Sequence, residues 1–210
     1  MYRSVKQFIK ICTEELPLAE PVYEFGSYRV EGQNELANLR ALFPNKQYIG
    51  SDIRPGPGVD MILDVQKIAL PDESAGTVVC CEVFEHITDP QSAIREIYRI
   101  LKPGGTAIIS SPMHYHIHEE PHDYWRFTPY GMKFLLSPFS AHYVIAKGSP
   151  YDPYHVVGVG VKGDVDFTVL RKRETEWVHI RDVPISTRIL AGIVSAKKRI
   201  TGVLTRQHHG

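Results

Sequence analysis

Four histidines and an aspartate, His114, His116, His118, His122 and Asp123, fall within ten residues and run directly into Tyr124, Trp125 and Arg126. Imidazole is the side chain that titrates near neutrality, so such a segment can accept protons at physiological pH. Three readings follow. Alternation in an extended chain would put His114, His116 and His118 on one face, as a divalent metal holding a diol would require. A metal-free acceptor pocket, the reading preferred over the metal, would use His118 or His122 as base and Asp123 to fix the tautomer. In the third, the segment is a surface cap with its histidines merely hydrogen-bonded. Tyr124 and Trp125 offer apolar faces on which a sugar could stack, and equally could be core.

A second cluster is the acidic-aromatic turn Glu82-Val83-Phe84-Glu85-His86. His86 leads into a helix, a place where a histidine is more often structural than catalytic. Acids also recur where strands end, at Glu24, Asp52 and Asp64. Each alone reads as a cap or turn residue; three at successive strand ends suggest a ligand cradle. An acid ending the second strand can accept both hydroxyls of a ribose. The dinucleotide fingerprint is missing, because Gly26-Ser27-Tyr28-Arg29 supplies one glycine where three are needed.

The elements that must position these groups centre on Thr77–Pro112. A β-branched run, TVVCCEV, is followed by a helix with Asp89 as N-cap and Pro90 in its first turn, carrying Ile94, Ile97 and Leu101 on one face. Lys102-Pro103-Gly104-Gly105 ends the helix, and TAIISSP runs on as another buried strand, which makes a βαβ unit. Upstream, Tyr2–Leu16 carries a helical stripe (Val5, Phe8, Ile9, Cys12) expected to cover a sheet edge. PVYEFGS reads as the first strand, Asn34–Phe43 as a helix, residues 47–53 as the second strand and 59–65 as a short third. Downstream, Thr128-Pro129 opens a helix through about Leu136, and HYVIAKG and HVVGVGVKG are two late strands. Strands alternating with helices argue for an α/β fold with a mostly parallel sheet, ligands binding beyond the strands' carboxyl ends.

Composition fits an ordinary globular protein: 43% hydrophobic and 23% charged over 210 residues. The zero net charge hides an asymmetry. Residues 171–210 hold nine basic and three acidic residues, leaving fifteen basic and twenty-one acidic in the first 170. That mildly acidic body offers no nucleic-acid groove. Three cysteines, two of them adjacent, make neither a disulfide framework nor zinc spacing. A charged N-terminus and the lack of any run near the ~18 apolar residues of a membrane span predict a cytoplasmic protein.

With these residues in view, the chain resembles the class I S-adenosylmethionine-dependent methyltransferases, in particular the small type 11 branch. The resemblance rests on Tyr48–Asp52, Leu63-Asp64-Val65, Leu70–Ser74, Glu82–His86 and Arg99–Gly105, and covers roughly residues 20–165. It implies a Rossmann-like sheet of seven strands, order 3-2-1-4-5-7-6, with strand 7 antiparallel. It implies S-adenosyl-L-methionine as cofactor and S-adenosyl-L-homocysteine as product. By position, Glu24 and Gly26, with Ser27, hold the methionine end. Asp52, with Ile53, meets the ribose. Asp64 and Val65 meet adenine, and Cys81 and Glu82 lie beneath the methionine. Tyr28 and Arg29 stand where the family has further glycines and would narrow the pocket.

The Asp-Tyr-Trp-Arg-Phe-Thr-Pro run resembles one in methyltransferases of sugar and surface-glycan pathways. It implies a polyhydroxylated acceptor. A small acceptor methylated at oxygen is the expectation, with His86, His114, His116, Tyr124, Trp125 and Arg126 as the residues expected to bind it. N- or C-methylation, or an inactive cofactor-binding partner subunit, are the alternatives.

The expected organisation is a methyltransferase domain over 1–170, with an N-terminal helix in 1–17, and a basic tail over 171–210. A helix near Ile185–Leu204 is apolar on one side and carries Arg188, Lys197, Lys198 and Arg199 elsewhere. It is expected to pack on its own domain or pair in a homodimer, peripheral membrane contact being the competing reading.

Overall fold

A computed structural model describes residues 1–30 and 34–182. Its centre is a seven-stranded sheet: β1 (Val22–Phe25), β2 (Tyr48–Asp52), β3 (Met61–Ile62), β4 (Ala75–Cys81), β5 (Leu101–Pro112), β6 (Ala141–Ser149) and β7 (Asp152–Val161). The order is β3-β2-β1-β4-β5-β7-β6, with β7 antiparallel to both neighbours and the other pairings parallel. This is the expected Rossmann-like α/β fold. The chain steps outward from β1 through β2 to β3, then returns to β4 on the other side. The crevice between the carboxyl ends of β1 and β4 is therefore the topological switch point, where ligands bind in open α/β sheets.

Strand alternation explains the two cores. Val78 and Cys80 face one cluster, with Ile94, Ile97 and Ile100 of helix α3 (Pro90–Ile100) and Met132 and Leu135 of α4 (Pro129–Leu135). Val79 and Cys81 face the other, with Val5, Phe8, Ile9 and Cys12 of α1 (Arg3–Glu15). Alternate residues thus serve opposite faces, the adjacent cysteines included. Side chains such as Phe8 and Ile9 each contribute about 1.5–3 kcal/mol through burial. Helix α1 therefore covers a sheet face rather than an edge. Asp89 caps α3 by accepting from the Ser92 amide (3.0 Å), and Thr128 caps α4 by accepting from Gly131 (3.0 Å). Both confirm the expected Asp/Thr-Pro starts.

Three differences from expectation have local causes. The helix expected over 34–43 is only α2 (Asn34–Ala37) and a 3-10 turn, Arg40–Leu42. Arg40 is drawn out to the Tyr48 carbonyl (2.7 Å) and to Asp60, which suits a tight turn better than a continuing helix. Strand β3 has two residues, because Asp60 turns back to accept from the Gly50 amide (2.8 Å). Finally, α5 (Thr168–Lys172) and α6 (Glu174–Val178) follow the sheet, and the compact unit runs to Ile180, past the boundary expected at 170. Trp177 anchors this end: its ring is buried against Phe8 and its Nε1 donates to the Ser4 carbonyl (2.7 Å). The helix expected near 185–204 lies outside the described residues. No helix among the described residues is long and apolar enough to cross a membrane.

Candidate functional site

The turn after β1 presses into the switch-point crevice. Gly26 has φ +82, and a Cβ there would lie 2.3 Å from Val83 Cγ2, so only glycine lets the β1 and β4 turns approach this closely. The amides of Gly26 and Ser27 both donate to the Ser51 carbonyl. Beside them Asp52 closes β2. Its Oδ2 accepts from the Tyr28 amide (3.3 Å) and its Oδ1 from the Arg54 amide (3.2 Å). The Arg54 guanidinium stacks on the Tyr28 ring, 4.4 Å from its centroid, and the Asp52 side chain is left 11% exposed. Tyr28 and Arg54 thus narrow the approach to the acid. Each carboxylate oxygen still has a lone pair beyond its backbone contact. The Ser27 hydroxyl is buried with no hydrogen-bond partner. An underused acceptor beside an orphaned hydroxyl, over a glycine turn, fits the hydroxyl-rich and zwitterionic ends of S-adenosylmethionine.

The remaining residues expected around the cofactor are placed unevenly. Glu24 is buried and accepts from the Tyr48 hydroxyl (2.7 Å); burial pushes its carboxyl up to about 7, against the lowering effect of that bond. Cys81 is buried, and desolvation drives its thiol well above the ordinary range. Ile53 is exposed. The exposed Asp64 carboxylate accepts from the Gln66 amide through Oδ1 (2.8 Å), which leaves Oδ2 open, and the Val65 side chain belongs to the core.

Glu82 (φ +58) accepts from Ser110 Oγ (2.8 Å), and its carboxylate lies 2.9 Å from Nε2 of the buried His155, without hydrogen-bond alignment. Burial alone would raise the Glu82 carboxyl; the charge of His155 brings it below the usual carboxylate range. His155 went unrecognised in the sequence. Its only signal was a histidine opening an otherwise apolar strand.

The histidine segment is an irregular loop pinned onto the 3-10 turn Phe84–His86. The amides of Tyr124 (2.7 Å) and Trp125 (3.2 Å) donate to the Glu85 carbonyl, Trp125 Nε1 donates to the Ile87 carbonyl (2.8 Å), and His86 Nδ1 meets the His122 carbonyl (2.7 Å). Arg126 forks onto Asp123 at 2.6 and 2.7 Å, and Asp123 also accepts from the His118 amide (2.9 Å) with His118 Nδ1 at 3.2 Å. The bonds from Arg126 hold the Asp123 carboxyl well below the usual range.

His118 and His86 meet edge to face, ring centroids 4.6 Å apart, and burial lowers the His86 pKa despite its bond to the His122 carbonyl. The alternating histidines do not converge as a set of three, although the rings of His116 and His118 meet edge to face at 6.1 Å. His114 pairs with Asp152 (3.3 Å), His116 stacks on Tyr115 (4.2 Å), and only His118 turns to the site. His122 is exposed, its Nδ1 2.9 Å from the Tyr124 hydroxyl. Tyr124 and Trp125 are each about two-fifths exposed, so a solvent-facing aromatic shelf borders the loop.

Residues 33–109 match a family described as methyltransferase domain. A probable S-adenosylmethionine-dependent methyltransferase of Mycolicibacterium smegmatis is 34% identical over 77 residues, 37% of this chain and 25% of that protein. A ubiquinone biosynthesis O-methyltransferase of Escherichia coli is 25% identical over 119 residues, 55% of this chain and 43% of that protein. The chain thus spans less than half the length of these relatives. Among solved structures, an Archaeoglobus fulgidus SAM-dependent methyltransferase is similar with TM-score 0.56 at 16% identity, over 75% of this chain and 94% of that one. The trans-methyltransferase CalH complexed with SAH gives 0.57 at 15%, over 75% and 55%. The strand order and the switch-point crevice give this chain the fold of the solved SAM-dependent methyltransferases, and the segment that matches the methyltransferase domain carries β2 to β4 and most of β5.

Proposed function

We propose that this domain transfers the methyl group of S-adenosylmethionine to a small, polyhydroxylated acceptor, at oxygen. The observation that carries the reading is the pinning of the histidine loop to the β4 turn. It sets an Asp123-oriented imidazole and two half-exposed aromatic rings beside the switch-point crevice. The cofactor supplies an electrophilic methyl group. In-line attack on it demands alignment, so most of the rate would come from holding the two reactants together. Asp52, Gly26 and Ser27 would hold the cofactor; Tyr124 and Trp125 would stack against a sugar-like ring. With its Nδ1 turned toward two acceptors, the Asp123 carboxylate and the His116 carbonyl (3.2 Å), a neutral His118 keeps its lone pair on Nε2, the form that takes a hydroxyl proton. Similarity to a ubiquinone biosynthesis O-methyltransferase favours oxygen over nitrogen or carbon.

The test is S-adenosylhomocysteine release on incubation with S-adenosylmethionine and a panel of sugars, polyols and phenols, with the product's methylated atom assigned by NMR. Turnover confined to amine acceptors would replace the oxygen reading by the nitrogen one. Cofactor binding without turnover on any acceptor would favour the inactive partner subunit, a reading supported by the cover of Tyr28 and Arg54 over Asp52.

A further inference from the structure

Glu85 holds an unresolved polar atom. Its residue is 0% exposed; Oε2 accepts from Ser111 Oγ (3.1 Å), while Oε1 is buried without a hydrogen-bond partner. A buried carboxylate oxygen left without a donor is costly, and such atoms are rare in folded proteins. His86 Nε2 lies 3.7 Å from that oxygen. It is not a donor in the neutral ring, because Nδ1 sits 2.7 Å from the His122 carbonyl, which can only accept, and so keeps the ring proton. The same logic applies to His118. Its Nδ1 faces two acceptors, Asp123 Oδ2 and the His116 carbonyl, each at 3.2 Å, so its lone pair is on Nε2. Glu85, His86 and His118 each offer a ligand atom within 4.8 Å of the others. Three groups that can each offer an electron pair to a metal ion therefore converge.

We propose that Glu85, His86 and His118 bind one first-row divalent transition-metal ion. Two imidazoles and a carboxylate suit ions such as zinc, iron, cobalt or nickel. The outer contacts are those that orient metal-binding histidines, a backbone carbonyl behind His86 and a carboxylate behind His118. Ligands held at about 2.0–2.1 Å in a tetrahedral site stand about 3.3 Å apart, so the cluster closes with a movement on the order of 1 Å. The side chains of His86 and His118 are 22% and 25% exposed, which leaves an approach from solvent and room for a further ligand. His114 and His116 take no part. This site goes beyond the methyl-transfer reading and stands without it. Where both hold, the ion occupies the His118 lone pair, and an acceptor hydroxyl would be held and acidified by the ion instead of by direct proton transfer to the imidazole.

The test uses the full chain with His208 and His209 replaced by alanine throughout, so that this adjacent pair is not counted. After dialysis against chelator, cobalt(II) is titrated by visible absorption and zinc(II) by calorimetry, with S-adenosylhomocysteine binding measured in parallel as a separate readout. One ion per chain is expected, with Glu85→Gln and His118→Ala each weakening affinity at least about 100-fold and His114→Ala and His116→Ala staying within about threefold. If Glu85→Gln does not fold, the partly exposed His118→Ala decides. No stoichiometric binding at millimolar ion, or unchanged affinity in His118→Ala, overturns the metal site and leaves a proton shared among the three groups. Because homocysteine-cofactor binding is read separately, that failure is distinguishable from failure of the methyltransferase reading.

Discussion

Replacing Asp52 with alanine tests the cofactor cradle most directly. In the protein the acid uses one lone pair of each oxygen on a backbone amide, at 3.3 Å to Tyr28 and 3.2 Å to Arg54. The second lone pair of each can meet the two ribose hydroxyls, with Arg54 Nε standing 3.7 Å from Oδ1 as a competing charge. A hydrogen bond to a charged acceptor contributes about 1.5–3 kcal/mol net, so loss of one such bond weakens binding about 10- to 150-fold. Both amide contacts are long, so their own loss adds little. Calorimetric titration with S-adenosylhomocysteine reads the change, with circular dichroism confirming the fold. Arg54→Ala separates the acid from its cover. It removes the guanidinium stacked on Tyr28 but leaves the carboxylate, and affinity should hold or improve. Asp52→Asn keeps an acceptor oxygen without the charge and should fall between the two. If Asp52→Ala binds within twofold of wild type, the ribose is held elsewhere and this placement of the cofactor fails.

Two further outcomes follow from buried charge. Asp123→Ala removes the partner of Arg126, whose side chain is 26% exposed, from a fork whose carboxylate is 2% exposed. Breaking a buried pair costs about 3–5 kcal/mol, and the exposure of Arg126 reduces this to about 2–3. The amides of Tyr124 and Trp125, which tie the loop to Glu85, should then exchange roughly 30- to 150-fold faster; unchanged exchange would show that the fork does not hold the loop. Glu24, raised to about 7 by burial, binds its proton more tightly folded than unfolded. It therefore adds stability at low pH that is lost as pH rises from about 4.5 through 7, up to about 3 kcal/mol, and Glu24→Gln should flatten denaturation midpoints across that window. Equal slopes for the two proteins would assign the dependence to another group.

Local signals were readable wherever one residue type has one physical use. Asp89-Pro90 and Thr128-Pro129 start helices because a side-chain oxygen meets an orphan amide and proline tolerates the first turn. Apolar β-branched runs marked the buried strands, although β4 begins at Ala75 rather than Thr77. Signals failed where tertiary partners decide. The helix over 34–43 has good periodicity, yet Arg40 finds its partners across the sheet at Tyr48 and Asp60. The buried meeting of Glu82 with His155 joins residues far apart in sequence, and no spacing announces it.

The histidine loop shows why spacing of ligand-type residues is weak evidence until the backbone is known. Alternation brings His114, His116 and His118 together only if the chain is extended, and here it is gathered instead. Arg126 binds the Tyr115 and His116 carbonyls (3.5 and 3.2 Å) as well as Asp123, drawing the two ends of the loop around one guanidinium. That fold turns His114 away to Asp152 and His116 onto Tyr115, and brings His118 to His86. The residue that completes the group, Glu85, comes from the turn after β4, one position before His86. Adjacent residues on a strand would point to opposite faces, but in the 3-10 turn both contribute to one cluster. The chemistry of this site is thus set by an arginine that takes no part in it, through the carbonyls it collects. Removing that guanidinium should disperse the cluster even though every candidate ligand remains.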